Sequence, residues 1–258
     1  MNLALEGRTA LVSGSHRGTG AIIARHLARE GARVLVHGLQ PGQAEAAVAE
    51  LGCGIAVTGD ITTDAGADAV ATACAAETVD ILVNNYGTAE AGSWDETSSD
   101  GWIDAYQKNV LSAQRLIQRF LPGMRSRGFG RIINLGTVGS TRPAGRMPHY
   151  YAAKGALATA TISLAKELAG TGIRVNLVSP GLIRTPEVEA AYLARARKQG
   201  WGDDWDTVEA KVAADIPIGR IVRREEVADL VAFLASPLAD AIHGQNIRID
   251  GGSLDILT

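Results

Sequence analysis

The sequence predicts an α/β protein built on one doubly wound parallel sheet of about seven strands, with helices on both faces. Three observations predict this. Short apolar runs rich in β-branched residues alternate with stretches of helical period along nearly the whole chain. The runs are apolar throughout, as strands covered on both faces require. No Pro/Ser-rich linker, low-complexity tract or internal repeat divides the 258 residues, so one domain over 1–258 is expected.

The elements follow in order. "RTALVS" reads as the first strand and "GAIIARHLARE" as a helix ending at Gly31. "ARVLVH" is the second strand, and "PGQAEAAVAEL" a helix with Pro41 near its start. "GIAVTGD" is the third strand, "DAGADAVATACAAE" a helix and "VDILVNN" the fourth strand. One long helix covers about Gly101 to Arg127, followed by "GRIINLG" as the fifth strand. "HYYAAKGALATATISLAKELA" is a second long helix and "GIRVNLVSP" the sixth strand. The helix "REEVADLVAFLAS" and the strand "NIRID" close the chain.

Composition narrows the function classes. Hydrophobic residues are 46% and charged residues 21%, the balance of a soluble globular chain. A net charge of −3 gives no basic field to recruit nucleic acid. No apolar run approaches the roughly 20 residues a membrane span needs. The N-terminus lacks the basic flank, apolar core and cleavage site of a leader, so a cytoplasmic location is expected. The two cysteines, Cys53 and Cys74, fit no metal spacing and read as packed thiols. No metal site is expected.

Between the first strand and first helix lies "SGSHRGTG", in which Gly14, Gly18 and Gly20 form GxxxGxG. Glycines allow close backbone approach, and the helix that follows offers unpaired N–H groups and a positive dipole end. That combination suits a pyrophosphate. No Gly-Lys-Ser/Thr follows, so it is not a P-loop. The second strand ends at Gly38, where NAD-type sites place a carboxylate against the ribose 2′-OH. Without that carboxylate nothing repels a 2′-phosphate, and Arg17 in the loop is the candidate to bind it. NADP(H) is therefore preferred, with NAD(H) possible. A second basic residue would have strengthened the case, but Leu39 follows Gly38.

In "HYYAAKGAL", Tyr150 and Lys154 stand four apart and share one helix face. A free phenol titrates near pH 10, too high for easy proton exchange at neutrality. A cation one turn away favours the phenolate, as does a positively charged oxidised nicotinamide, which makes Tyr150 a general acid/base candidate. Alone, such a pair is an ordinary structural arrangement. Tyr151 lies about 100° around the helix and reads as a packing residue.

Taken together these motifs resemble the short-chain dehydrogenase/reductase family, in its form of approximately 250 residues. The resemblance spans nearly the whole chain and rests on order and spacing. It runs through "SGSHRGTG", Gly59-Asp60, "NNYG" at 84–87, "KNV" around Asn109, "INLGTVGS", Tyr150-xxx-Lys154, "VSPGLIRTP" and "GQNIRIDGG". It implies a Rossmann-type fold and hydride transfer between a nicotinamide and a carbonyl or secondary alcohol. It implies that Asp60 meets the adenine amino group with the backbone of Ile61 nearby, and that Asn84 and Gly87 sit beside the ribose and phosphates. Lys154 would also hold the nicotinamide ribose hydroxyls. Pro180, Gly181, Ile183 and Thr185 would line the nicotinamide. The catalytic set implied is Asn109, Thr137, Tyr150 and Lys154, with Asn109 kinking its helix and holding a water next to Lys154.

Two positions depart from the family pattern. Tyr86 stands where Ala is usual, and Thr137 stands where the catalytic serine is usual, thirteen residues before the tyrosine. Threonine keeps the hydroxyl that would orient the carbonyl and stabilise its developing charge. Its methyl narrows the pocket and restricts the rotamer. Ser140 is nearby, but its offset matches poorly.

Residues of about 185–215 form the expected substrate lid. Its Tyr192, Trp201 and Trp205, with Trp94, either wall the pocket or pack the lid onto the body. Arg142 and Arg146 either meet an anionic group on the substrate or stay solvated. Small residues on the helix at 150–169 (Ala152, Ala153, Ala156, Ala160 and Ala165) and the resemblance imply a homotetramer, or a dimer, through the two long helices. Reduction of a 3-oxoacyl thioester, a sugar, a steroid or a small ketone all fit. A catalytically impaired dinucleotide-binding regulator is the alternative; an isomerase or dehydratase fits the length poorly. Because the hydroxyl is what the chemistry needs, Thr137→Ser is expected to retain activity in a steady-state assay. A clear loss would mean that the methyl group positions the substrate.

Overall fold

The computed structural model describes residues 2–256. Seven strands form one sheet in which every pairing is parallel. They are β1 (Thr9–Val12), β2 (Arg33–Gly38), β3 (Ile55–Thr58), β4 (Val79–Asn84), β5 (Gly130–Leu135), β6 (Ile173–Pro180) and β9 (Asn246–Ile249). Their spatial order is β3-β2-β1-β4-β5-β6-β9. The chain starts in the middle, builds outward to β3, then crosses back to β4 and builds the other way. The topological switch point therefore falls between β1 and β4, where open α/β sheets leave a crevice at the strands' C-terminal ends. The glycine loop and "NNYG" follow those two strands.

Strand parity divides the core into two layers. Ala10 and Val12 of β1 turn to one face, packed with Ile23 and Leu27 of α1 (Gly18–Arg29) and with Val227 and Val231 of α9 (Arg224–Ala235). Leu11, between them, turns to the other face. There it joins Val70 of α3 (Asp64–Ala73), Leu116 of α5 (Ser112–Arg127) and Ala165 of α6 (Pro148–Glu167). Side chains alternate along a strand, so apolar residues must occupy both parities here. Each fully buried Leu or Ile contributes roughly 1.5–3 kcal/mol over leaving it exposed.

Several elements differ from the sequence expectation. The helix expected over 101–127 is α4 (Ser99–Tyr106) and α5 joined by a π-helical turn, Gln107–Leu111, that holds Asn109. Pro41 lies outside its helix: α2 spans Gln43–Leu51 with Gly42 as N-cap. A separate two-stranded pairing, β7 (Ile183–Arg184) with β8 (Val222–Arg223), was not foreseen. Two residues give too short a run for any periodicity. Of the cysteines, Cys74 is buried as expected, but Cys53 is exposed.

The lid consists of α7 (Pro186–Gln199) and α8 (Trp205–Val212). Trp205, Val208 and Ala196 form a small core of their own, with Tyr192 and Trp201 packed against it. These aromatics hold the lid together, and none of them lines the clefts at Tyr150 or at Thr137. Trp94 stays 72% exposed and tilts against Trp102, ring centroids 5.2 Å apart. Among the described residues no helix is long and apolar enough to cross a membrane.

Candidate active site

At the β1 end of the crevice, the glycine loop is held by the segment that follows β4. Gly14 adopts a left-handed φ of +63°, and a Cβ there would lie 3.2 Å from the α and β carbons of Tyr86. Tyr86, the bulky departure from the family pattern, is thus accommodated by Gly14, and its N–H donates to Ser13 Oγ at 3.0 Å. Asn85 donates from Nδ2 to the Ser13 carbonyl at 2.9 Å. Arg17 is the N-cap of α1 but contributes no side-chain cap, and Gly18 and Gly20 lie in that helix's first turn. The first amides of a helix have no intrahelical acceptor. An uncapped helix start at the switch point fits a pyrophosphate. Arg17 lines a cavity of about 350 Å³ together with His16, Arg25 and Arg224.

At the end of β2, Gly38 is buried, and a Cβ there would come within 2.8 Å of the Gln43 side chain. Asp60 accepts from the N–H and the hydroxyl of Thr62, at 3.0 and 2.7 Å. Ile61 is fully buried. The expectation for Asn84 is corrected. Its side chain is 2% exposed and donates across the sheet to Asn134 Oδ1 at 2.8 Å, and Asn134 donates in turn to Thr161. Asn84 lies on β4 in register with Asn134, so parity turns it inward. Asn85, just past the strand, lines the cleft instead.

The chemical end of that cleft brings together Gly87, Tyr150, Lys154, Pro180 and Ile183, with Thr19 and Asn85. A Cβ at Gly87 would sit 2.5 Å from Asn109 Oδ1 and 3.1 Å from Lys154 Nζ, so only glycine leaves room for those two groups. The π turn supplies Asn109, whose Nδ2 donates to the carbonyls of Thr88 and Ala105, both at 3.0 Å. Its Oδ1 is buried and unpartnered among the described residues. The expected helix kink is therefore a π turn. A buried ammonium beside an unsatisfied carbonyl oxygen fits a polyhydroxyl group such as ribose.

Thr137 accepts from Gly139 N–H at 3.2 Å, and its hydroxyl stands close enough to Tyr150 to lower that phenol's pKa. Ser140 spends its hydroxyl on the Thr137 carbonyl at 2.7 Å, which removes it as a substitute. Thr137 opens onto a second cleft of about 360 Å³, shared with Arg142, Tyr151, Gly181 and Leu254. Tyr151, read from sequence as packing, faces this cleft. Only its one-residue offset from Tyr150 hinted at a place near the site. Arg142 is paired with Asp255 at 2.9 Å, and Arg146 is exposed. Thr185 caps α7, accepting from Val188 N–H at 3.2 Å.

The electrostatics correct one expectation. Burial pushes the Tyr150 phenol up to about 12, Tyr151 adds to the rise, and the nearby Thr137 hydroxyl opposes it. Lys154 is itself buried, and its ammonium donates to the Leu135 carbonyl at 2.7 Å. Spacing brings lysine and tyrosine to one cleft, but desolvation outweighs their attraction in the protein alone.

Burial also lowers Lys154, from the ordinary 10.5 to about 8. Unfolding restores the ordinary value, so between those limits the unfolded chain binds more protons and folding gains stability as pH rises. Below pH 8 both states are charged, and the cost of burial stands in full at about 3 kcal/mol. In the cofactor-free protein, Lys154→Met is expected to raise the unfolding free energy at pH 7. Its advantage over wild type should shrink between pH 8 and 10.5 in urea denaturation. A pH-independent difference would contradict the assignment.

Comparison with known proteins places the chain in a family. A family model described as enoyl-(acyl carrier protein) reductase matches residues 14–253. The 3-oxoacyl-[acyl-carrier-protein] reductase of Escherichia coli K12 is 35% identical over 250 residues, covering 96% of this chain and 97% of that one. The crystal structure of L-sorbose reductase from Gluconobacter frateurii, complexed with NADPH and L-sorbose, superposes with a TM-score of 0.93. It is 32% identical, and both chains are covered fully. A 3-oxoacyl (acyl-carrier-protein) reductase from Agrobacterium tumefaciens C58 with NADP bound gives 0.86 at 31% identity, over 97% and 95% of the two chains. The chain belongs to the short-chain dehydrogenase/reductase family of NAD(P)-dependent oxidoreductases.

Proposed function

We propose that this protein is an NADP(H)-dependent reductase that interconverts a carbonyl and a secondary alcohol. The observation that carries the reading is the meeting of Lys154 Nζ and the unpartnered Asn109 Oδ1 over Gly87, in the cleft that Tyr150 lines. Bound NADPH supplies the hydride. Tyr150 gives its phenolic proton to the carbonyl oxygen as charge develops there. Thr137 donates a second hydrogen bond that orients the oxygen and stabilises that charge. Lys154 holds the ribose hydroxyls, and Asn109 Oδ1 anchors a water through which the proton on Tyr150 is replaced.

Preference for NADP(H) is supported by Arg17 at the loop, by the missing carboxylate after Gly38, and by relatives that carry NADPH or NADP. Gly14, Gly18, Gly20, Asp60, Ile61 and Gly87 are assigned to the adenosine and pyrophosphate. Pro180, Gly181, Ile183 and Thr185 are assigned to the nicotinamide. The substrate is a small-molecule ketone entering beside Thr137 and Tyr151; a 3-oxoacyl thioester and a polyhydroxy ketone both have precedent among the relatives. We read the chain as one cytoplasmic domain. It assembles as a homotetramer or dimer through the helices at about 101–127 and 150–169, on which Ile103, Tyr106 and Ile162 are exposed.

Tyr150→Phe tests the assignment. With a ketone panel followed by cofactor absorbance, turnover is expected to fall by at least about 100-fold while NADPH affinity and folding hold. Turnover comparable to wild type would refute it. Binding without turnover by the wild type would favour a regulator.

A further inference from the structure

His37 stands at the end of β2, fully buried, and no step of the reaction above uses it. Both of its ring nitrogens are engaged. Nδ1 lies 2.9 Å from Gly14 N–H and accepts from it. That assigns the ring proton to Nε2, which donates to the Gly59 carbonyl at 2.9 Å. The backbone of His37 adds two bonds. Its N–H donates to Ser15 Oγ at 2.9 Å, and its carbonyl accepts from His16 N–H at 3.2 Å. Ser15 in turn donates to the Val12 carbonyl at 2.7 Å. One residue thereby ties three consecutive loop residues, Gly14 to His16, to β2 and to the segment that begins at Gly59. Burial, its main influence, keeps the imidazole neutral, with its pKa down to about 4.

We propose that His37 is a positioning residue for the cofactor, fixing the glycine loop that takes the pyrophosphate against the Gly59–Asp60 segment that takes the adenine. The inference rests on the dinucleotide reading of this cleft. The loop contains left-handed glycines at 14 and 18, so without a brace it would lose much conformational freedom on binding phosphate. His37 removes that freedom before the ligand arrives. An apolar side chain there would leave a part-buried N–H at Gly14 and a buried carbonyl at Gly59 without their His37 partner, and the loop would have to shift to hydrate them. The bonds of His37 go to Gly14, Ser15, His16 and Gly59, and none to Arg17, the residue assigned to a 2′-phosphate, so NADPH and NADH should suffer alike. Tyr150 and Lys154 lie on α6 at the far end of the cleft, so the chemical step at saturating cofactor should change little.

The test titrates wild type, His37→Leu and His37→Asn with NADPH and with NADH, and measures kcat at saturating cofactor on any ketone the wild type reduces. His37→Leu is expected to weaken both cofactors by about tenfold or more, with kcat within about threefold. His37→Asn presents Oδ1 where Nδ1 stood and should regain most of the affinity. Unchanged affinity in His37→Leu, a loss confined to one cofactor, or an Asn variant no better than Leu would overturn the proposal. Should His37→Leu not fold, His37→Asn is compared with His37→Gln, which loses the acceptor next to Gly14; equal affinities would overturn it. A wild type that binds neither cofactor would instead remove the dinucleotide reading, and this proposal with it.

Discussion

A lysine ammonium shut inside a protein must find oxygen, and among the described residues Lys154 finds only the Leu135 carbonyl, 2.7 Å away. It has three protons to donate, and burial has already pulled its pKa to about 8. The rest of the chemical end is arranged around this expensive group. Gly87 is bare so that Nζ and Asn109 Oδ1 can both approach it. The helix from 99 to 127 takes a π turn at the residue that delivers that oxygen. A helix is least stable where its bonding register changes, and such turns often mark functional positions. The protein carries the cost of a desolvated cation where a ligand's hydroxyls would repay it.

The second constraint lies at the other end of the crevice, where the glycine loop is immobilised by its neighbours. Asn85 holds the loop carbonyls, Tyr86 packs on Gly14, and His37 reaches across from β2. Both ends are thus set before any ligand enters. Preorganised donors stabilise a developing charge more effectively than groups that must rearrange to meet it. Tyr150 is the exception. Its phenol is raised to about 12 by burial, so it remains a poor acid until its surroundings gain positive charge.

Much of this was legible in the sequence, and the limits have physical reasons. The parallel sheet followed from continuous apolar runs, the pairing of Tyr150 with Lys154 from their spacing, and Asn109 and Gly87 from the resemblance; Tyr150, Lys154 and Gly87 line one cleft, and the buried Asn109 brings Oδ1 up to Gly87. The adjacent asparagines were misjudged because strand parity decides which one turns inward, and the strand's end was not fixed to a single residue. Asn84 went to Asn134, and Asn85 to the loop. The sign of the Tyr150 shift was misjudged because spacing reports proximity and says nothing of desolvation. His37 was invisible because a lone histidine in an apolar run reads as a core residue. Its bonds to Gly14 and Gly59 depend on β2 lying between β1 and β3. The lid aromatics found one another, as large apolar side chains in a small subdomain generally must.

An ultraviolet difference titration of the tyrosines, with Tyr150→Phe as the subtractive reference, follows the Tyr150 phenol directly. The account predicts that without cofactor Tyr150 ionises only near pH 12, and that saturating oxidised NADP brings its ionisation well below the ordinary value near 10. A phenol that already ionises near neutrality in the cofactor-free protein, or one that oxidised NADP leaves unmoved, would contradict it.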